Sequence, residues 1–379
     1  MADLSDYRKE IDEIDHQLVP LFEQRMEVVR KVAAYKKEHN LPVLHAGREE
    51  EVLRKAADSL KNPTYVPQIR QFMNQVMELS RASQHQQIAD SQPPIQGEQP
   101  HLFEGRLGYF GVAGSFTEQA LLDFFGEGRQ AASYPEIEDV FAALHTGEID
   151  FGVVPIENSS TGSITKVYDL LGSYRFYIVG EQSVRISQNL VSVAGATLDT
   201  IRTIYSHAQG IEQSGKFLAQ HRSWQMLHFH NTAISAKMVA DEGDPSKAAI
   251  ASRRAAELYG LTVVAPDIQD NSQNTTRFIV VAREMCTADA DKVSISFLLD
   301  HASGTLYNVL RHFSQQQVNM VKIESRPIPD VLWNYRFYLD FEGDPADARV
   351  KALLESISRE SKGFQMLGAY RSSGSRRTN

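Results

Sequence analysis

The stretch Leu4–His39, LSDYRKEIDEIDHQLVPLFEQRMEVVRKVAAYKKEH, decides how the first part of the chain folds. Leu4, Tyr7, Ile11, Ile14, Leu18, Leu21, Arg25, Val28, Val32 and Tyr35 recur at alternating spacings of three and four, the heptad of a helix with one apolar seam. At 1.5 Å per residue such a helix is about 54 Å long. The helical segment, residues 1–84, cannot cover that length by itself, so an interlocked helical dimer is expected. Pro20 removes a backbone donor mid-helix and predicts a kink or local break. A second helix is expected from Gly47 to Leu60 and a third from Val66 or Pro67 to Gln86, with Pro67 suited to a first helical position.

Beyond this segment, QHQQIADSQPPIQGEQP at 84–100 holds six Gln, three Pro and no aromatic residue, a composition that cannot build a core. A second joint is expected at Glu284–Asp291, and a frayed tail at Arg371–Asn379. The 379 residues allow two or three domains at roughly one per 150. The net charge of −9 argues against nucleic acid, whose binding needs a basic face. Cys286 is the one cysteine, which excludes an internal disulfide and a cysteine-based zinc site and suits a reducing cytosol. No run approaches the ~18 apolar residues of a membrane span. The acidic, amphipathic N-terminus does not read as a secretory signal. The expectation is a multidomain protein of the cytoplasm.

Residues 104–284 alternate short apolar strands with amphipathic helices, the α/β signature. Strands are expected at Arg106–Phe110, Phe151–Val154, Phe176–Val184, Gln188–Val193, Thr203–Tyr205, Ala248–Ala251 and Arg277–Ala282. Helices are expected at Thr117–Phe125, Ile137–Thr146, Ser163–Leu171, Gly210–His221, Thr232–Asp241 and Ser252–Leu258. In residues 292–370, Val293, Ile295, Phe297 and Leu299 alternate as a half-buried strand. A helix Thr305–Gln315 follows, then strands at Val318–Ser325 and Trp333–Phe341, a helix Ala346–Ser358 and a strand Gly363–Tyr370. That order is βαββαβ, the ferredoxin-like arrangement.

Arg25 occupies a heptad position where an apolar residue belongs. It is either a snorkelling or ion-paired arginine or a guanidinium held to grip an anion in bidentate fashion. Arg8 and Lys36 lie on neighbouring faces of the same rod; three cations along one dimer seam repel unless an anion sits among them. Arg48 and Glu49 open the second helix, and Ser80 and Gln84 stand one turn apart on the third. Gly111-Val-Ala-Gly114-Ser115-Phe116-Thr117 between a strand and a helix is an anion cradle or a tight turn. Pro155-Ile-Glu157-Asn158-Ser159-Ser160-Thr161-Gly162-Ser163 gathers amides and hydroxyls at a strand end, either to receive a carboxylate or as a helix cap. Asn274-Thr275-Thr276-Arg277-Phe278 enters a strand.

These residues carry a resemblance over almost the whole chain. Arg8, Arg25, Lys36, Arg48, Glu49, Ser80 and Gln84 resemble the pattern of the all-helical chorismate mutase family, with His45 where the family carries Asp. The three middle motifs, with Tyr205-Ser206-His207-x-Gln209 and Asn231-Thr232-Ala233 between them, resemble prephenate dehydratase; Val112 and Ala208 replace prolines. Gly304-Thr305-Leu306 and Glu324-Ser325-Arg326-Pro327 resemble the ACT regulatory domain, with Thr305 where Ala is usual. An exposed ion pair is the alternative for Glu324 and Arg326. Together the segments resemble the bifunctional chorismate mutase/prephenate dehydratase family, with a mutase domain at 1–90, a linker at 91–103, a dehydratase domain at 104–284 and an ACT domain at 292–370.

The resemblance implies an intertwined helical dimer, a two-lobed dehydratase resembling periplasmic binding proteins, and a ferredoxin-like ACT domain. It implies chorismate and prephenate as substrates, phenylalanine as effector, a homodimer or tetramer, and no cofactor, metal, nucleic acid or membrane. Chorismate is expected to meet Arg8, Arg25, Lys36, Arg48, Glu49, Ser80 and Gln84, with Lys36 and Gln84 serving the ether oxygen. Prephenate is expected to meet Glu157, Asn158, Ser160, Thr161, Gly162, Thr276, Arg277 and Phe278. Thr276 would be donor to the departing hydroxyl, and Arg277 a carboxylate ligand. Gly304, Thr305, Leu306 and Glu324 to Pro327 (Glu324, Ser325, Arg326, Pro327) would bind phenylalanine. Two rivals stay open: a dehydratase whose helical domain is inactive, and a ligand sensor without catalysis.

Overall fold

The computed structural model describes residues 3–39, 46–89, 104–229, 231–328 and 335–375. His45, the linker at 91–103 and Trp333 lie outside these. The chain divides into two compact units, residues 1–95 with 346–356, and residues 96–345 with 357–379.

The first unit holds α1 (Leu4–Glu38), α2 (Ala46–Asp58) and α3 (Val66–Ala89). The heptad period survives as one 35-residue helix, which runs through Pro20 without a break. A proline removes a single bond, the one to the carbonyl four residues back, and the turns on either side keep theirs. Within the chain α1 buries Val29 and Ala33, and α3 buries Val76, Met77 and Ser80. The predicted seam is on another face: Leu4 is 61% exposed, Ile14 61%, Leu21 62% and Tyr35 57%.

The second unit begins with β1 (Leu107–Phe110), α4 (Phe116–Phe125), β2 (Ala131–Tyr134), α5 (Ile137–Thr146), β3 (Phe151–Asn158), β4 (Gly162–Ser163), α6 (Thr165–Tyr174) and β5 (Tyr177–Arg185). The chain then crosses into a second sheet through β6 (Asn189–Ser192), β7 (Thr203–Ser206), α7 (Ala208–Glu212), α8 (Gly215–Leu218), β8 (Gln225–His228), α9 (Thr232–Glu242), β9 (Lys247–Ala251), α10 (Arg253–Leu258) and β10 (Thr262–Ala265). It returns by β11 (Thr275–Ala282). The remainder of the chain is β12 (Lys292–Leu298), α11 (Thr305–Gln315), β13 (Met320–Pro327), β14 (Tyr335–Glu342), α12 (Ala348–Glu360), whose residues up to Ser356 are grouped with the first unit, and β15 (Lys362–Tyr370).

The second lobe's sheet runs β10-β6-β9-β7-β8. The first runs β13-β14-β12-β15-β5-β11-β3-β1-β2, so the C-terminal strands continue the sheet of the first lobe. The join is a single parallel pair, Gly368 with Ile178. A Cβ on Gly368 would lie 2.1 Å from the Ile178 carbonyl oxygen, so only glycine lets the strands meet. Ile178, Ile279, Val281, Tyr338, Leu367 and Tyr370 share one core. The expected joint at Glu284–Asp291 therefore does not separate independent bodies, because sheet and core both continue past it.

Four strands escaped the sequence reading: β4 is two residues, and β2, β8 and β10 are four residues each, with little burial to impose alternation. The helix expected at Gly210–His221 is two short ones, α7 and α8. The polar run after Pro155 is not a helix cap. β3 continues to Asn158 and hairpins into β4, and α6 starts after Ile164 without a side-chain cap.

Candidate active site

In the helical unit, α1 and α3 bring Arg25 and Ser80 together. The Arg25 guanidinium donates to the Ser80 hydroxyl and to the Val76 carbonyl at 3.3 Å. Ser80 Oγ in turn donates to Val76 O at 2.6 Å. Partial burial lowers the pKa of Arg25, yet arginine stays charged in proteins. The result is a cation held at a helix crossing with most of its donors uncommitted to carboxylates. Arg48 pairs with Glu51 at 2.6 Å on exposed α2. Arg8 is exposed, Lys36 and Glu49 are partly so, and the side chain of Gln84 lies outside the described residues.

The second unit holds a cavity of about 320 Å³ where its two lobes meet. The first lobe contributes Phe110, Ser115, Phe116, Thr117, Pro155, Asn158, Thr161, Thr276 and Phe278; the second contributes His207, Gln209, Gln213, Asn231 and Thr232, and Ile186 and Gln188 lie at the crossing. Among the described residues no lysine or arginine lines it, and its polar groups are hydroxyls, amides and one imidazole.

Thr276 and Asn158 are register partners on β11 and β3. Asn158 Oδ1 accepts the backbone N–H of Ser160 at 2.9 Å and of Thr161 at 3.0 Å. Two backbone donors fix the amide's orientation. Its Nδ2 must then donate to Thr276 Oγ1 and Asn274 Oδ1, each at 2.8 Å. With a lone pair taken by Asn158, the Thr276 hydroxyl retains a proton to give. His207 caps α7, its Nδ1 accepting from Gln209 N at 3.2 Å; a neutral ring then carries its proton on Nε2. Gln209 Nε2 spans the cleft to Thr161 Oγ1 at 3.3 Å.

Gly114 takes φ +85° where α10 of the other lobe abuts it, and a Cβ there would lie 3.0 Å from Ala255 Cα. The glycine serves lobe contact rather than anion cradling. Ser252 Oγ donates to Gly114 O at 2.8 Å and Tyr259 Oη to Ala113 O at 2.9 Å. Ser115 caps α4 by accepting from Glu118 N, which leaves the N-terminal turn of α4 facing the cavity.

Four of the expected prephenate residues do not line the cavity: Glu157, Ser160, Gly162 and Arg277. Ser160 bonds Asn274 and Asn271 on the exposed hairpin. Gly162, at φ +85°, makes its turn. Arg277 follows Thr276 on a strand, so it points to the opposite face, where it pairs with Asp340 at 2.8 Å and with Glu181 and Glu157 at 3.3 Å. Burial disfavours its charge, but Asp340 and Glu181 outweigh that and raise its pKa. A β-bulge between Arg277 and Phe278 leaves both Pro155 and Asn158 on the cleft while Glu157 turns away.

The sequence reading missed Ser115, Phe116, Thr117, His207, Gln209, Asn231 and Thr232 as site residues, although their motifs were visible. Ile186, Gln188 and Gln213 carried no local signal.

In the C-terminal segment Gly304 (φ +86°) caps α11. Thr305 lines a small cavity of about 90 Å³ with Leu299, Asp300, His301, Ala302, Tyr335 and Phe337. Gly304, Leu306, Glu324, Ser325, Arg326 and Pro327 do not line it. Glu324 accepts from Ser163 Oγ at 2.7 Å, and Arg326 pairs with Asp169 at 3.0 Å. Among the described residues no group of acidic, histidine or cysteine side chains could hold a metal, and no helix is long and apolar enough to cross a membrane.

Helical unit and cleft together define an enzyme with a cation-bearing helical module followed by a two-lobed α/β module. The family model described as chorismate mutase type II matches residues 7–85, and that described as prephenate dehydratase matches residues 107–286. The bifunctional chorismate mutase/prephenate dehydratase of Neisseria gonorrhoeae is 30% identical over 96% of each chain. That of Pseudomonas aeruginosa is 31% identical over 98% of this chain and 99% of its own. Among solved structures, a prephenate dehydratase from Arthrobacter aurescens in complex with L-Phe matches with TM-score 0.66 and 30% identity, over 72% of this chain and 92% of that one. GqqA, titled a quorum-quenching acylase, matches with TM-score 0.65 and 27% identity, over 72% of this chain and all of that one. Fold alone thus does not choose the chemistry; the pairing of modules along the full length does. The chain belongs to the bifunctional chorismate mutase/prephenate dehydratase family.

Proposed function

We propose that the helical unit rearranges chorismate to prephenate and that the cleft converts prephenate to phenylpyruvate with loss of water and CO2. The observation that carries the second step is the Thr276 hydroxyl, held by Asn158 in a cleft that no lysine or arginine lines among the described residues. A chain given chorismate alone should form phenylpyruvate. Accumulation of prephenate would leave only the mutase, and untouched chorismate would leave only the rival dehydratase.

The mutase step is an intramolecular pericyclic shift and needs no nucleophile, metal or redox group. Its site must hold a dianion in a compact conformer and stabilise charge growing on the ether oxygen. Arg25 and Arg48, with Arg8 from a second copy, clamp the carboxylates. Lys36 and Gln84 donate to the ether oxygen, Glu49 takes a ring hydroxyl, and Ser80 aims Arg25. The exposed seam of α1 supports the second copy, since so long an apolar stripe is stable when another helix covers it. Ile14→Glu with Leu18→Glu should yield monomers in sedimentation and abolish chorismate turnover; an active monomer would refute the shared site.

In the cleft Thr276 donates to the departing hydroxyl, the bond to CO2 breaks, and aromatisation drives the step. The carboxylates meet backbone N–H groups at the starts of α4 and α9, helped by Thr161, Gln209 and His207 Nε2. Helix termini replace the arginine expected from the sequence. The βαββαβ segment is read as a ferredoxin-like ACT domain that binds phenylalanine, supported by the L-Phe complex of the Arthrobacter relative. Residues 324–327 do not line the small cavity beside Thr305, and we read the site as completed by a second copy, in a dimer or tetramer. Glu324→Ala should make dehydratase activity insensitive to phenylalanine; undiminished inhibition would remove Glu324 from the effector site.

A further inference from the structure

Behind the strand that presents Thr276 lies a buried ion cluster that the dehydratase chemistry does not use. Arg277 Nη2 pairs with Asp340 Oδ2 at 2.8 Å, and Arg277 Nη1 donates to Glu181 Oε2 at 3.3 Å. Lys292 Nζ donates to Glu181 at 2.9 Å. Lys322 Nζ pairs with Glu157 at 2.9 Å and donates to Ser163 Oγ at 2.7 Å, and Ser163 donates to Glu324 at 2.7 Å. Three cations face Asp340, Glu181 and Glu157 directly, with Glu324 joined through Ser163, and the side chains of Arg277, Glu181, Asp340, Lys292 and Lys322 are each no more than 12% exposed.

The partners divide by segment. Arg277, Glu157, Glu181 and Ser163 come from the catalytic lobe; Asp340, Lys292, Lys322 and Glu324 come from the C-terminal segment. Asp340–Arg277, Lys292–Glu181 and Lys322–Glu157 therefore cross the boundary, while Arg277 also meets Glu181 and Glu157 of its own lobe. Separating such pairs leaves buried charges unmatched, which is far costlier than moving the strands together. Arg277 and Glu157 are the direct chain neighbours of Thr276 and Asn158. Arg277 Nε is buried without a hydrogen-bond partner among the described residues, so the cluster is not locked by full satisfaction.

We propose that this cluster couples the C-terminal segment to the cleft, and that Arg277 is a positioning residue for Thr276 rather than a substrate ligand. Shifts of β13 and β14 are transmitted through Lys322–Glu157 and Asp340–Arg277 to the Asn158–Thr276 pair. The inference rests on the reading above, with Thr276 as donor and phenylalanine as effector.

The test uses the full chain with Asp340→Asn and Lys322→Met. It follows dehydratase kcat and KM, phenylalanine inhibition, phenylalanine binding by calorimetry, and mutase activity in the same samples. Asp340→Asn should lower kcat about 10²-fold, as expected for a misplacement near 1 Å, with KM changed little. Lys322→Met should bind phenylalanine and retain basal turnover, but respond with coupling weakened about tenfold. Wild-type kcat in Asp340→Asn, or wild-type inhibition in Lys322→Met, overturns the coupling. Should Asp340→Asn fail to fold, Lys322→Met decides alone. A Thr276→Val chain with normal turnover, or a wild-type chain that neither binds nor answers phenylalanine, sinks the underlying reading and the coupling with it.

Discussion

Thr276→Val is expected to lower dehydratase kcat by about 10²–10³-fold, the loss typical of deleting one preorganised donor to a developing anion. Valine keeps the shape of threonine and its strand preference, so β11 should fold as before. The buried Nδ2 of Asn158 loses one acceptor but keeps Asn274, which limits the structural damage. Since threonine does not titrate near neutrality, the loss should be uniform across pH and KM should move little. A Thr276→Ser chain should recover much of the rate. Steady-state phenylpyruvate formation checks all three, and unimpaired turnover in Thr276→Val would reassign the donor.

The second large effect belongs to Arg25. Arg25→Ala should reduce chorismate turnover by about 10²–10³-fold, because it removes a charge-assisted clamp from a site that works by electrostatic stabilisation. Dehydratase activity on prephenate should be unchanged, as the cleft is built wholly within the other compact unit. Helical circular dichroism separates this from a packing role: Arg25 bonds α3 through Ser80 and Val76, so a purely structural arginine would lose mutase activity only with loss of helix. Arg25→Lys tests the fork geometry, since a point charge cannot span Val76 O and a carboxylate as guanidinium does.

Much of this architecture was legible because it is locally written. The heptad of Leu4 to Tyr35 specified a single long helix, and the alternation of Val293 to Leu299 specified a strand. Thr276 and Asn158 could be singled out as chemically apt. What could not be read was the direction each neighbour faces. Arg277 and Glu157 were expected in the cleft because they belong to the motifs that carry the resemblance to prephenate dehydratase. Pairing of β11 with β3, and the bulge within it, turned both away. Nor could composition at Glu284–Asp291 reveal that β15 adds to β5, since Gly368 meets Ile178 across nearly two hundred residues.

The sequence by itself thus determined most of the elements, their order, and the kinds of side chain available for two reactions on dianions. These follow from periodicity and residue chemistry within a few turns of chain. Only the tertiary structure decided that the long helix leaves its apolar seam exposed within the described chain, and that no lysine or arginine among the described residues lines the cleft. It also decided that the arginine beside Thr276 is matched by Asp340 of the C-terminal strands together with Glu181 and Glu157 of its own lobe. The physical reason is that a strand presents alternate residues to opposite faces, and which face becomes a cleft depends on partners more than a hundred positions away, as Asn158 and Thr276 are.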